Sequence, residues 1–128
     1  MKKKMAILLG TILVSSSITA FAGLELVDYS TTVGKLNGKG YTAYQTKSTT
    51  GAAADFYTDI VGGDYEVDVR QQDANGSTGD WARNFGDYTY QALDGSASQL
   101  AKDSVRAQLS NDLTTPVNVQ VSGMWKSF

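Results

Sequence analysis

Neither histidine nor cysteine occurs among the 128 residues, which removes Ser-His-Asp and Cys-His nucleophilic sites, thiolate or imidazole zinc centres, and haem held by either side chain. Thirteen Asp+Glu oppose eleven Lys+Arg for a net charge of −2; three of the bases and none of the acids fall in the first 22 residues, so residues 23–128 carry −5. Nucleic acid and anionic membrane, which recruit clustered Lys and Arg, are therefore poor partners for a chain whose remaining bases are scattered, although folding can still gather a local basic face.

The chain opens with Lys2, Lys3 and Lys4, an apolar run from Met5 to Val14, small polar residues, and Ala20-Phe21-Ala22. This order is that of a secretory signal peptide over residues 1–22, cleaved after Ala22, and residues 23–128 then make one small domain. The apolar run is shorter than the roughly 20 residues that a membrane-spanning helix needs. No second apolar segment follows, so the expected product is a secreted, extracellular protein without a membrane span, with cell-surface association left open. Lacking cysteine, it has neither disulfides nor a lipid anchor. Its core must suffice alone, helped at most by an ion or by self-association.

The dominant period along the domain is two, that of a strand with one face on a core. Weaker strands are expected over Val27–Leu36 and Tyr41–Ser48. Phe56, Thr58 and Ile60 then alternate with Asp55, Tyr57 and Asp59, and Tyr65 to Arg70 alternates apolar with charged. Tyr88, Tyr90 and Ala92 share one face, with Leu93 off it. Ser96 to Asn111 reads either as a helix carrying Leu100, Ala101, Val105 and Leu109, or as a strand in which Val105, Ala107 and Leu109 face the core; the cleaner alternation favours the strand. Val117, Val119 and Val121 form the last alternation, with Pro116 at the first strand position, where a missing N–H costs least. Asn-Gly, Gly-Gly-Asp, Gly-Asp and Asp-Gly turns separate these runs. There is no internal repeat and no room for crossover helices. The expectation is an all-β fold, a small antiparallel β-sandwich or flattened barrel of six to eight short strands. The aromatic C-terminus is one seen in outer-membrane barrels, but Lys126 breaks the lipid-facing alternation.

Oxygen chemistry remains. In DANGSTGDW, Asp73, Asn75, Ser77 and Asp80 could converge on a calcium ion, which needs only oxygen ligands. Gly76 falls too early for the EF-hand pattern and no bidentate Glu follows, so a strand-joining turn is the favoured reading and calcium the lesser one. Asp55, Asp59, Asp64, Glu66 and Asp68 make a second acidic cluster on two neighbouring strands, which could frame an ion or a cationic ligand but is read first as a solvated negative face. Carboxylates for a glycosidase are plentiful, but so short a chain struggles to build a cleft. Most of the aromatic side chains are assigned to core and cross-strand packing, leaving Trp81, beside a polar loop, as the candidate contact for a glycan or protein.

YTAYQTK (Tyr41 to Lys47), the stretch from Asp68 to Arg83, and above all SVRAQLSNDLTTPVNVQVSGMW (Ser104 to Trp125) resemble a group of small secreted β-rich proteins of Gram-positive bacteria. The resemblance covers most of the domain and implies export and a single β domain. It carries no activity and no site residue. The function expected is a non-catalytic extracellular or cell-surface module, structural or binding a protein or glycan of the cell envelope. A secreted bacteriocin-like antagonist is the alternative, for which the −5 charge is unhelpful against anionic membranes.

Overall fold

The computed structural model describes residues 24–128; the proposed leader and its cleavage site lie outside them. Among the described residues nine strands are formed: β1 (Val27–Val33), β2 (Lys39–Tyr41), β3 (Gln45–Thr46), β4 (Ala54–Val61), β5 (Val67–Asp73), β6 (Ala82–Phe85), β7 (Tyr90–Leu93), β8 (Ser104–Asn111) and β9 (Val119–Lys126). They build two antiparallel sheets, one in the order β1-β9-β4-β7 and one in the order β2-β8-β5-β6, with β3 also paired to β8. The sheets do not close on each other, so the fold is an all-β sandwich and not a barrel.

The inner faces show why this sequence folds so. Tyr29, Val33, Ala54, Phe56, Val61, Val119, Val121, Trp125 and Leu93 come from the four-stranded sheet, and Val67, Val69, Phe85, Val105, Ala107 and Leu109 from the other; all are buried together. Phe56 meets Phe85 edge-on across the two layers at 5.3 Å and lies 4.8 Å from the Tyr29 ring, separations at which aromatic pairs add to area burial. The chain changes sheet between β1 and β2, β3 and β4, β4 and β5, β6 and β7, β7 and β8, and β8 and β9. Most pairings are therefore long-range, as in β1 with β9 and β5 with β8.

The long central strand β9 pairs on both sides, and Gly123 lets it do so. A Cβ there would come within 2.0 Å of the Tyr57 carbonyl oxygen, which accepts a hydrogen bond from the Tyr29 hydroxyl at 3.0 Å. Next to this close approach β4 bulges between Thr58 and Ile60. The bulge is clamped from the 86–89 loop: Asp87 accepts from the Val61 amide at 2.7 Å, and Thr58 Oγ1 donates to Gly86 and accepts from Thr89.

Several expectations are corrected. The bulge turns Ile60 out to solvent and puts Val61 in the core. In edge strand β7 the phase is inverted, with Leu93 buried and Tyr90 and Ala92 exposed. Val105, Ala107 and Leu109 do face inward on a strand, but it starts only at Ser104, after turns rather than a helix. Pro116 and Val117 precede β9 instead of opening it. The Tyr41–Ser48 strand is two short pieces, one starting at Lys39. Of the aromatic side chains, Tyr29, Phe56, Phe85 and Trp125 are buried in the core and Tyr57 and Tyr90 form a cross-strand pair at 4.7 Å, as expected, whereas Tyr41, Tyr44 and Tyr88 are exposed.

Candidate functional site

The outer face of the five-stranded sheet carries an organised polar surface. Its arrangement follows from register. Lys39 and Asp68 lie opposite Ser110, Tyr41 and Arg70 lie opposite Gln108, and Gln72 lies opposite Arg106. These side chains alternate with the core residues of β5 and β8, so all point away from the sandwich interior. The sequence contains three arginines, Arg70, Arg83 and Arg106. All three lie on this face.

Each arginine is held differently. Arg70 donates from Nε to Gln108 Oε1 at 2.7 Å, and its guanidinium carbon lies 4.2 Å from the Trp81 ring centroid. Arg106 donates from Nε to Gln72 Oε1 at 3.1 Å and stacks at 3.9 Å on Tyr41 and 5.0 Å from Tyr44. Arg83, on β6, pairs with Asp68 at 2.7 Å, and Asp68 also accepts from the Asn84 amide. Stacking on an aromatic face is favourable for a cation and restricts its motion.

One tetrad explains the first two arrangements. Val69-Arg70-Gln71-Gln72 and Val105-Arg106-Ala107-Gln108 are both V-R-x-Q. Set antiparallel with Arg70 opposite Gln108, the two copies are self-complementary, and each arginine reaches the other's glutamine. The echo is far shorter than a structural repeat, yet it is the signal in the sequence that marks this surface.

Beside the stacks lies an open groove of about 480 Å³, lined by Lys39, Asp68, Arg70, Trp81, Arg83 and Asn111 among others. Trp81, singled out from the sequence, is thus half-buried in the wall of a groove. Lys39 Nζ donates to the Asn37 carbonyl and to Ser110 Oγ. Asn111 donates from Nδ2 to the carbonyls of Val33 and Gly34, tying β8 to the end of β1, while its Oδ1 is buried without a partner.

The DANGSTGDW stretch forms a turn built on its first residue. Asp73 Oδ1 accepts from the amides of Asn75 at 3.0 Å and Ser77 at 2.8 Å, and the Asp73 amide donates to the Ser77 carbonyl. Gly76 takes φ +91°, a conformation that favours glycine. The geometry therefore uses Asp73 and Ser77 as turn framework. Asp80 is exposed beyond them. Among the described residues no group of three or more Asp or Glu side chains is placed to hold a metal ion. The second acidic cluster does not share neighbouring strands: Asp55 and Asp59 belong to β4 and Asp68 to β5, which lie in different sheets, while Asp59, Asp64 and Glu66 are exposed as expected.

A further polar constellation lies inside the sandwich. Lys47 is buried, and its ammonium donates to the Ala52 carbonyl at 2.7 Å, Gln71 Oε1 at 2.9 Å and the Ser127 carbonyl at 2.7 Å. Gln71 Nε2 donates on to the Ala52 and Leu93 carbonyls. Gln45 bonds the Trp125 carbonyl and the Ser127 amide. Burial lowers the Lys47 pKa to about 8. Every donor of this ammonium is used, so it ties strands together rather than presenting a reactive amine.

No protein-family model matches this chain, and neither curated proteins nor solved structures give a match.

Proposed function

We propose that this is a secreted, non-catalytic extracellular module that binds a component of the cell envelope, glycan or protein, through the outer face of its five-stranded sheet. The observation that carries this reading is the gathering of all three arginines with Trp81, Tyr41 and Tyr44 on one face beside an open groove. A chain without histidine or cysteine supports a non-catalytic role. Immobilised aromatic and arginine side chains are the groups that dominate binding surfaces. The test is capture from cell envelopes, together with a glycan array, using the domain and its Trp81→Ala variant. Capture by the parent and its loss in the variant, at unchanged folding, is expected. Equal capture by both moves the function to another surface.

A further inference from the structure

Resting on that reading, we propose that the Arg70 and Arg106 pair is a two-pronged site for an acidic glycan, one bearing carboxylates on its sugar units. Among the described residues the Arg83–Asp68 contact is an ion pair that neutralises its own cation. Arg70 and Arg106 have no such partner. Their Nε hydrogens are taken by Gln108 and Gln72, and one face of each guanidinium lies on an aromatic ring. The terminal Nη groups of both make no hydrogen bond within the described residues, so each side chain presents a fork of donors whose orientation is already fixed. A guanidinium of this kind matches a planar carboxylate in two parallel hydrogen bonds.

The two arginines spring from neighbouring positions. Arg70 lies opposite Gln108, two residues from Arg106 on the same strand, which sets their side-chain bases diagonally, about 7–8 Å apart; from there Arg70 leans to Trp81 and Arg106 to Tyr41. One extended ligand can reach both. In a chain of net negative charge they are, with Lys39 beside them, cations of this face without a carboxylate partner among the described residues, and they select for an anion. The groove alongside favours a glycan over an acidic peptide. Its lining of Lys39, Asp68, Ser110 and Asn111 mixes donors and acceptors suited to hydroxyl groups. Its apolar lining is limited to Trp81 and Leu113, and a tryptophan face among polar groups suits a sugar ring.

The test is titration of the domain with polygalacturonate oligosaccharides, with the same oligosaccharides after carboxyl reduction, and with poly-glutamate, at low and physiological salt. The acidic glycan should bind, with affinity falling as salt rises. The carboxyl-reduced form should bind at least about tenfold more weakly, as expected when a charge-assisted contact is lost. Arg70→Gln and Arg106→Gln should each produce a similar loss in a domain that still unfolds cooperatively, its melting temperature lowered by no more than a few degrees, and Arg106→Lys should not restore binding. Equal affinity for the acidic and reduced glycans, or tighter binding of poly-glutamate, overturns the acidic-glycan assignment. So does failure to bind polygalacturonate while envelope capture persists, which leaves the module reading intact. Failure of both envelope capture and the glycan array overturns the module reading itself.

Discussion

Residues 70, 71 and 72 hold two treatments of a buried or stacked cation, one on each side of a single strand. Inside, Gln71 is one of three neutral acceptors around the ammonium of Lys47, which has no carboxylate and no unused hydrogen. Outside, Arg70 and Gln72 belong to the reciprocal arginine–glutamine pairs, whose guanidiniums keep their terminal donors unengaged. An interior cation must satisfy every donor, because an unpaired polar group away from water costs about 1–3 kcal/mol or more. A surface cation carries no such requirement, and an ordered one with spare donors is available to a ligand. Strand β5 therefore combines structural work on its inner face with the candidate site on its outer face.

The sharpest way to break this contrast is to remove each cation in turn. Lys47→Met deletes the ammonium but leaves the Ser127 carbonyl and Gln71 Oε1 without their partner, and should cost about 2–4 kcal/mol in urea unfolding at neutral pH. Arg106→Met leaves no buried acceptor stranded, and its loss should stay below about 1 kcal/mol, the range of exposed cation–π contacts. Comparable losses from the two variants would mean that the outer pairs are structural as well.

The same contrast is expressed in pH. Lys47 titrates near 8 in the folded protein because burial disfavours its charge, whereas the unfolded chain holds that proton up to the ordinary lysine value of 10.5. Between those values the unfolded state binds more protons, so stability should rise with pH, by about 1–3 kcal/mol. Above roughly 10 the direction reverses. Burial, reinforced by the charge of Asp59, pushes the Tyr29 hydroxyl well above its usual range, so the unfolded tyrosine ionises first. Tyr90, raised chiefly by its hydrogen bond to Asp55, acts in the same sense. Thermal melts from pH 7 to 11 should show a maximum near 10, and Lys47→Met should abolish the rising limb.

What the amino-acid pattern conveyed, and what it withheld, divides along the same line. Alternation locates Val67, Val69, Val105, Ala107 and Leu109 because each is unambiguous beside charged or amide neighbours. It fails at Ile60, where one extra residue in β4 shifts the phase, since a bulge depends on the partner strand. It fails at β7 because an edge strand with tyrosine on one side and leucine on the other offers two apolar faces, and only the sheet opposite decides between them. The candidate surface escaped for a related reason. Alternation assigns Arg70 and Arg106 to the outside, but their alliance depends on a register between strands 38 residues apart at the Arg70–Gln108 contact. Trp81 was legible because it stands alone beside a polar loop, whereas its partner Arg70 was not.

The turn at Asp73 offers the finest test, because one carboxylate there has both characters. Its Oδ1 is fully engaged by two backbone amides, while its Oδ2 is buried without a partner. If the group serves the turn alone, Asp73→Asn keeps the engaged oxygen and should cost less than about 1 kcal/mol, whereas Asp73→Ala strands two amides and should cost about 1–2 kcal/mol. Calcium at 10 mM should then move the melting temperature by no more than about one degree. A site with a dissociation constant near 1 mM, ordinary for an extracellular module, would instead stabilise by about 1.4 kcal/mol at that concentration and raise the melting temperature by several degrees in a domain of this size. A rise of that size, abolished in both Asp73→Asn and Asp80→Ala, would assign Oδ2 to an ion. Unchanged melting assigns it to the turn, as the unpaired edge of a side chain whose work is done by its other oxygen.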